Sequence, residues 1–264
     1  MRKYIEVIKI QMKNELAWRY DIFFQMFFTI TKVLFAYLLW GMIFREKTAV
    51  AGFTFHGMLS YYIISSFLSQ LEISSGISEE ITARIRNGTF SKFMVLPMNT
   101  EGYFIAQETA VVLFYLLFDL AAAAVWIFVF RIRFVFTADP VLILSALLMV
   151  LLGLFFMVQL NYFLGLLTLR FEEISTFLMI KNNLMSLATG AIVPLALFPE
   201  QAVSCMKLLP FYYVTYLPSM LLTGRCASEA LPGLLLLAGW CAALQLLIAV
   251  TWKQYRTKYD GVGI

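Results

Sequence analysis

Long apolar runs with few charged residues recur along the whole chain. They cover approximately residues 22–44, 55–74, 103–130, 141–169, 177–198 and 231–252. About 20 apolar residues in a helix cross the ~30 Å hydrocarbon core of a bilayer, so each run is long enough to span it. The runs lack the alternation of barrel strands, and lipid offers no water to backbone amides. The pattern therefore predicts an all-α polytopic membrane protein with six transmembrane helices.

Composition supports this class and limits what else the chain can hold. Hydrophobic residues make up 61% of the sequence and charged residues 14%, against about 45–50% and 25% in soluble domains. The 264 residues accommodate the six spans with short connections, but no additional soluble domain of ~100–150 residues. We therefore expect one transmembrane domain over residues 1–264, with any energy source supplied by another protein and no nucleic-acid partner.

The residues before the first span form an amphipathic pattern. Apolar side chains recur at helical spacing at Tyr4, Ile5, Ile8, Met12 and Leu16, while basic residues occupy other positions. This arrangement is typical of a helix that lies in the membrane interface. The apolar run that follows is too long for a signal peptide and lacks an Ala-x-Ala-like cleavage site. We interpret it as a retained first span.

The distribution of basic residues predicts the orientation. Thirteen Lys and Arg residues precede span one, follow span six, or are counted with the connections between spans two and three and spans four and five, where the count includes Lys181 near the start of span five. Six fall on the opposite side, and Lys32 lies within span one. Cytoplasmic loops carry the excess of Lys and Arg. The pattern therefore predicts that both termini are cytoplasmic.

The predicted cytoplasmic loop 76–99 has the signals of a short helix. Ser78 is a candidate N-cap, and acidic residues at 79 and 80 suit the positive end of a helix dipole. Arg84 and Arg86 suit the last turn, and Gly88 can adopt the left-handed conformation that ends a helix.

The same loop helix carries one apolar stripe, formed by Ile77, Ile81 and Ile85. Such a stripe must bury its side chains against something. One hypothesis is a coupling helix that docks in a groove of a cytoplasmic partner. The other is a helix that lies on its own membrane, and the loop alone does not favour either.

A second unusual segment is the predicted outer connection 199–229. It is rich in apolar residues, yet Pro199, Pro210 and Pro218 break it into pieces that are too short to span a bilayer. Irregular backbone at membrane depth is tolerated where protein or a water-filled cavity surrounds it. A re-entrant gate over a translocation path is the functional interpretation, and a plain interfacial loop is the alternative.

Two charged residues fall inside predicted spans. Lys32 is central in span one and Asp119 lies near the middle of span three. Each costs roughly 2.5–3.5 kcal/mol on insertion scales if it faces lipid, so pairing them lowers both costs. We weigh an ion pair that fixes helix register against a role in lining a substrate route.

The sequence contains no motif for nucleotide hydrolysis or for another catalytic site. G-x-x-x-x-G-K-[ST], H-E-x-x-H and G-x-S-x-G are all missing. The three cysteines, Cys205, Cys226 and Cys241, lack metal-site spacing; Cys205 and Cys226 can bridge, but unpaired thiols are favoured. We therefore expect a non-catalytic chain that binds no cofactor.

Three stretches carry a family resemblance. Residues 13–21 read KNELAWRYD and residues 77–98 read ISEEITARIRNGTFSKFMVLPM; residues 190–200 and 209–224 read GAIVPLALFPE and LPFYYVTYLPSMLLTG. The chain resembles, over essentially its whole length, the membrane subunit of ABC-2-type transporters. It is most similar to a less-characterised group in which two permeases are often encoded beside one ATPase.

The resemblance implies roles for each of these stretches. The opening forms an elbow helix, residues 77–93 supply the coupling helix, and segment 199–229 forms re-entrant outer helices. The ATPase-coupling residues are then Ile77, Glu80, Ile81, Arg84, Ile85, Arg86, Phe90 and Phe93. ATP and magnesium bind to separate ATPase subunits, and a second permease, a copy or a paralogue, completes the pore in the plasma membrane.

The resemblance also implies export of a hydrophobic or amphipathic substrate from the cytoplasm or the inner leaflet. Two other functions stay open at the level of the sequence. A secondary transporter would use Lys32 and Asp119 as its charged residues near the midplane. A non-transporting scaffold or immunity subunit would use the outer segment as a docking surface.

Overall fold

A computed structural model describes residues 2–17, 19–72, 74–95, 97–129, 133–171, 173–190 and 194–256. This part of the chain is almost entirely helical, and its one β-type pairing is an isolated bridge between Val50 and Phe53. The helices are α1 (Arg2–Ala17), α2 (Arg19–Ile43), α3 (Phe55–Leu71), α4 (Ser75–Arg86), α5 (Ser91–Val95), α6 (Thr100–Val129), α7 (Pro140–Leu167), α8 (Ser175–Ala188), α9 (Glu200–Met206), α10 (Tyr216–Leu222) and α11 (Ala230–Tyr255). The all-α class is confirmed.

Among the described residues, three helical segments are long and apolar enough to cross a membrane. They are Thr100–Phe118 within α6, Pro140–Leu167, and Ala227–Tyr255. The predicted span 177–198 differs from expectation, because its helix α8 has 14 residues and a length of about 21 Å. That length falls short of the ~30 Å hydrocarbon core. The count of six spans stays a prediction.

Helix α7 is the central support of the fold. Asp139 caps it by accepting a 2.9 Å hydrogen bond from the Val141 amide, and Pro140 occupies the first helical position. The helix is apolar on all sides and packs against α4, α10 and α11. At Gly153 the backbone of Val214 approaches so closely that an added Cβ would lie 3.2 Å from the Val214 Cα. Small residues allow this close approach between helices.

Helix α1 packs along α6 and has no fully buried residue. Tyr4 sits on Gly102, where an added Cβ would come within 3.0 Å of the tyrosine ring. The Lys3 ammonium donates to the Pro97 carbonyl. The helical structure predicted for this segment is confirmed, whereas its position in the membrane interface stays a prediction.

Candidate functional site

Helix α4 and the turn after it form the loop element for which the sequence predicted a coupling role. The Gly88 amide donates to the Ile85 carbonyl (3.1 Å) and the Thr89 amide to the Arg84 carbonyl (2.8 Å), with Gly88 at φ +68°. This pair of bonds is a Schellman motif, and it confirms the predicted stop. The predicted start was wrong: the helix begins at Ser75, and the Ser78 hydroxyl donates within the helix to the Ser75 carbonyl (2.8 Å).

The isoleucine stripe of α4 is buried against the chain itself. Ile77 is 5% exposed, and Ile81 and Ile85 are 0% exposed. Their helix packs on the end of α7, where an added Cβ on Gly165 would lie 2.8 Å from the Ile81 Cβ. The structure therefore corrects the expectation that these isoleucines enter a groove in a partner, because α7 already covers them.

Polar contacts bind the same helix to the segment that follows α7. The hydroxyls of Thr82 and Thr168 lie 3.0 Å apart, and Arg86 forms a 3.0 Å ion pair with Glu173. The backbone amide of Ser175 and the Arg86 guanidinium together lower the pKa of Glu173 to about 2. These contacts connect α4 to the C-terminal end of α7.

The opposite face of α4 is exposed within the described part of the chain. Glu79, Ala83 and Asn87 are exposed at intervals of four residues, which places them on one side of the helix. At the edge of this face Glu80 and Arg84 form an ion pair of 2.7 Å. The exposed side of α4 is therefore largely polar.

Phe90 and Phe93 anchor the end of the element in the helix bundle. Both are buried, and Phe90 packs edge-on against Trp252 of α11 with ring centroids 6.3 Å apart. Phe93 contacts Phe104 of α6 (5.4 Å) and lies under the Arg84 guanidinium (4.9 Å). The eight residues predicted for coupling therefore lie in one continuous stretch of the chain. The three isoleucines and two phenylalanines among them are buried, whereas Glu80, Arg84 and Arg86 are half-buried at its edge.

A buried polar chain adjoins this element, and sequence reasoning missed it. The Lys181 ammonium, in a residue only 5% exposed, donates to Asn161 Oδ1 (3.0 Å), and Asn161 Nδ2 donates to Ser74 Oγ (2.7 Å). The Ser74 hydroxyl in turn donates to Glu72 (2.5 Å). The chain joins α8, α7 and the α3–α4 junction. Lys181 had been counted as a cytoplasmic loop residue, although it stands inside an apolar run.

The outer segment forms short helices that begin at its prolines. Pro199 precedes α9 and is exposed, Pro210 opens a 3-10 helix over Pro210–Tyr213, and Pro218 lies in the first turn of α10. Proline is tolerated there because these positions have no intrahelical acceptor for an amide. Pro210 and Pro218 are buried among aromatic residues.

Two contacts hold the outer segment together and attach it to the rest of the protein. Lys207 and Glu229 form an ion pair of 2.6 Å, and the Tyr212 hydroxyl donates to the same carboxylate (3.0 Å). The Arg225 guanidinium lies 3.7 Å from the centroid of the Phe53 ring and donates to the Gly52 carbonyl. The outer surface near loop 50–53 is therefore tied to this segment.

The charged residues predicted inside spans one and three belong to α2 and α6. The side chains of Lys32 and Asp119 lie outside the described part of the structure, so their pairing stays a prediction. Within the described residues no group of three or more His, Cys, Asp and Glu side chains is placed to hold a metal. Cys205 is exposed, Cys226 half-buried and Cys241 buried, and all three are free.

Comparison with known proteins gives one match. Residues 30–263, well over half of the chain, match the family model described as ABC-2 family transporter protein. No curated protein and no solved structure matches the chain.

Proposed function

Because the chain belongs to the ABC-2 family of transporter membrane proteins, we propose that it is the permease subunit of an ATP-driven exporter. It moves a hydrophobic or amphipathic substrate outward from the cytoplasm or the inner leaflet. ATP and magnesium bind to a separate ATPase subunit, and this chain itself binds no cofactor. Both termini are cytoplasmic and the membrane is the plasma membrane.

The observation that carries the proposal is the two-sided character of α4. Its polar face, with Glu79, Ala83 and Asn87, is open to a cytoplasmic protein, while its isoleucines interlock with α7 at Gly165. A closely packed contact transmits the movement of one helix to the next because protein interiors are dense and have low compressibility. The ATPase contacts the polar face, and the isoleucines pass its movement to α7.

The buried chain from Lys181 to Ser74 extends this path to α8. Around Lys181 the surface of α8 is polar as well as apolar: Asn182, Asn183 and Ser186 are exposed. Amide and hydroxyl groups at membrane depth require a polar partner, which lipid tails do not supply. We infer that this face borders the pathway shared with a second permease, which is a copy of this chain or a paralogue.

The outer segment then acts as the gate. It contains the helix starts at Pro199 and Pro210 and has Pro218 in the first turn of α10, which packs over α7 and α3. A movement of α7 that changes its packing at Gly153 displaces Val214 and the buried turn around it. The re-entrant position of this segment in the bilayer is part of the proposal.

The test is a charge placed on the exposed face of α4. We expect Ala83→Arg to abolish copurification with the ATPase encoded beside this chain, and with it ATP-dependent export from proteoliposomes. The matched control is Ala17→Arg, at an exposed alanine in the last position of α1. Size-exclusion chromatography checks that both variants fold.

Two outcomes contradict the proposal. One is normal ATPase binding and export by Ala83→Arg. The other is transport by the purified chain without ATP, which would make it a secondary transporter.

A further inference from the structure

A cavity lies where α6 begins and α11 ends, next to Phe93 at the end of the coupling element. It has a volume of about 340 Å³. Three of the residues that line it are aromatic (Phe93, Tyr162 and Trp252), and four others are polar (Asn99, Thr100, Glu101 and Gln245). The volume is within the range of about 300–1,000 Å³ that small-molecule sites occupy.

A buried carboxylate, that of Glu101, lines the cavity. Glu101 is 8% exposed, and its Oε2 accepts a 2.9 Å hydrogen bond from Gln245. No ion pair to Glu101 exists within the described residues. A carboxylate removed from water is costly unless it is paired with a cation. This site therefore favours a positively charged ligand.

A ligand can also reach the hydrogen-bonded pair of Glu101 and Gln245 through a groove on the protein surface. This groove, wider than the cavity at about 580 Å³, runs between α1 and α6, and Asn99, Glu101 and Gln245 line both the groove and the cavity. Apolar side chains such as Ile8 and Phe155 form other parts of its wall. The hydrogen bond from Gln159 to Gln245 ties the pair to α7. A ligand in the groove thus has its tail along apolar walls and its head at the carboxylate.

We propose that this cavity and groove bind an amphiphile with an ammonium head group and an apolar tail. The ammonium lies against Glu101 and the rings of Tyr162 and Trp252, because aromatic faces attract cations. The tail leaves along the groove beneath α1. If the proposed export function holds, on which this step rests, the ligand is the substrate as it leaves the inner leaflet.

Photolabelling tests the proposal on the full chain in dodecyl maltoside micelles, whose uncharged head group does not compete for the site, without ATPase or ATP. The probe is a fourteen-carbon primary amine with a diazirine in its tail, compared with the alcohol and the carboxylic acid of the same tail. We expect the amine to label peptides from the starts of α6 and α1 and the end of α11 about tenfold more than either analogue. Competition with phosphatidylethanolamine shows whether the head group belongs to a lipid or to a free amine.

Glu101→Gln removes the charge and keeps the shape, so it should erase the preference for the amine. Glu46→Gln, at an exposed carboxylate in a loop far along the chain from this cavity, should retain it. Ala249→Phe fills the cavity from the exposed side of α11 and should reduce labelling even if Glu101→Gln fails to fold. Equal labelling by amine, alcohol and acid, or unchanged preference in the folded Glu101→Gln variant, overturns the proposal.

Failure here is distinguishable from failure of the export function. If the wild-type chain shows no preference for the amine but copurifies with its ATPase and exports normally, only this site is rejected. If the wild-type chain prefers the amine but copurifies with no ATPase, only the export function is rejected.

Discussion

The contact between Gly165 and Ile81 supports the sharpest prediction, because it is the point at which α4 meets α7. In Gly165→Ala the new Cβ would lie 2.8 Å from the Ile81 Cβ and 3.1 Å from its Cδ1 and Cγ2. Carbon atoms prefer separations of about 3.5–4.0 Å, so α4 must move away by roughly 1 Å. The nearest atom is a branched Cβ next to the backbone, and a rotamer change cannot move it aside.

Overpacking of this kind costs about 1–3 kcal/mol of folding free energy. We expect Gly165→Ala to lower the thermal unfolding temperature in detergent and to reduce ATP hydrolysis coupled to transport, while the ATPase still copurifies. Gly239→Ala is the matched control, because nothing lies within 4 Å of its added Cβ in α11. Alanine is favoured over glycine in a helix by roughly 0.5–1 kcal/mol, so this control should not destabilise.

A double variant separates this contact from other effects. Ile81→Ala keeps the Cβ but removes Cδ1 and Cγ2, two of the three atoms within 3.1 Å of the added Cβ, so Gly165→Ala should cost less in that background than in the wild type. Strictly additive losses would refute the argument. Wild-type stability and wild-type coupling in Gly165→Ala alone would refute it too.

Three other predictions concern neighbouring features. Gly88→Ala should destabilise the chain by roughly 1–2 kcal/mol in thermal unfolding, because φ is +68° at this position; an unchanged unfolding temperature would contradict the Schellman stop. Asn161→Leu removes an acceptor of the buried Lys181 ammonium and should lower the free energy of unfolding by about 1.5–3 kcal/mol. Adding Lys181→Met should recover most of that loss. Failure to recover it would mean that the two residues act separately. The pKa of Glu173 is lowered to about 2 from the ordinary 4.5, so its stabilising contribution is complete above about pH 4.5 and is lost as the pH falls toward 2. Unfolding temperatures of wild type and Glu173→Gln should therefore converge over that range, and a constant difference would contradict the assignment.

Several features of the fold could be predicted because they depend on local chemistry. Gly88 ends α4 because glycine alone adopts a positive φ without a steric cost, and the prolines at 199 and 210 mark helix starts because they lack an amide donor. The helical class followed from the apolar runs. Each of these inferences needs only a few consecutive residues.

Other features depend on which helices become neighbours, and periodicity does not report that. The spacing of Ile77, Ile81 and Ile85 correctly predicted which face of α4 is buried. It did not show that α7 covers this face, because the contact is made at Gly165, which is 84 positions from Ile81. Lys181 was misplaced for the same reason, since its acceptor Asn161 lies on another helix. The end of α8 at Ala188 was missed because hydropathy does not detect a helix end inside an apolar run.

The stacking of Arg225 on Phe53 has a consequence for how firmly two distant stretches are held together. The guanidinium of Arg225 connects the backbone around position 52 to the segment around position 225. A cation on an aromatic face contributes about 0.5–1 kcal/mol at an exposed site, so little energy is needed to break this stacking. In the permease that we propose, the two stretches would separate at low cost when the gate opens and would rejoin when it closes.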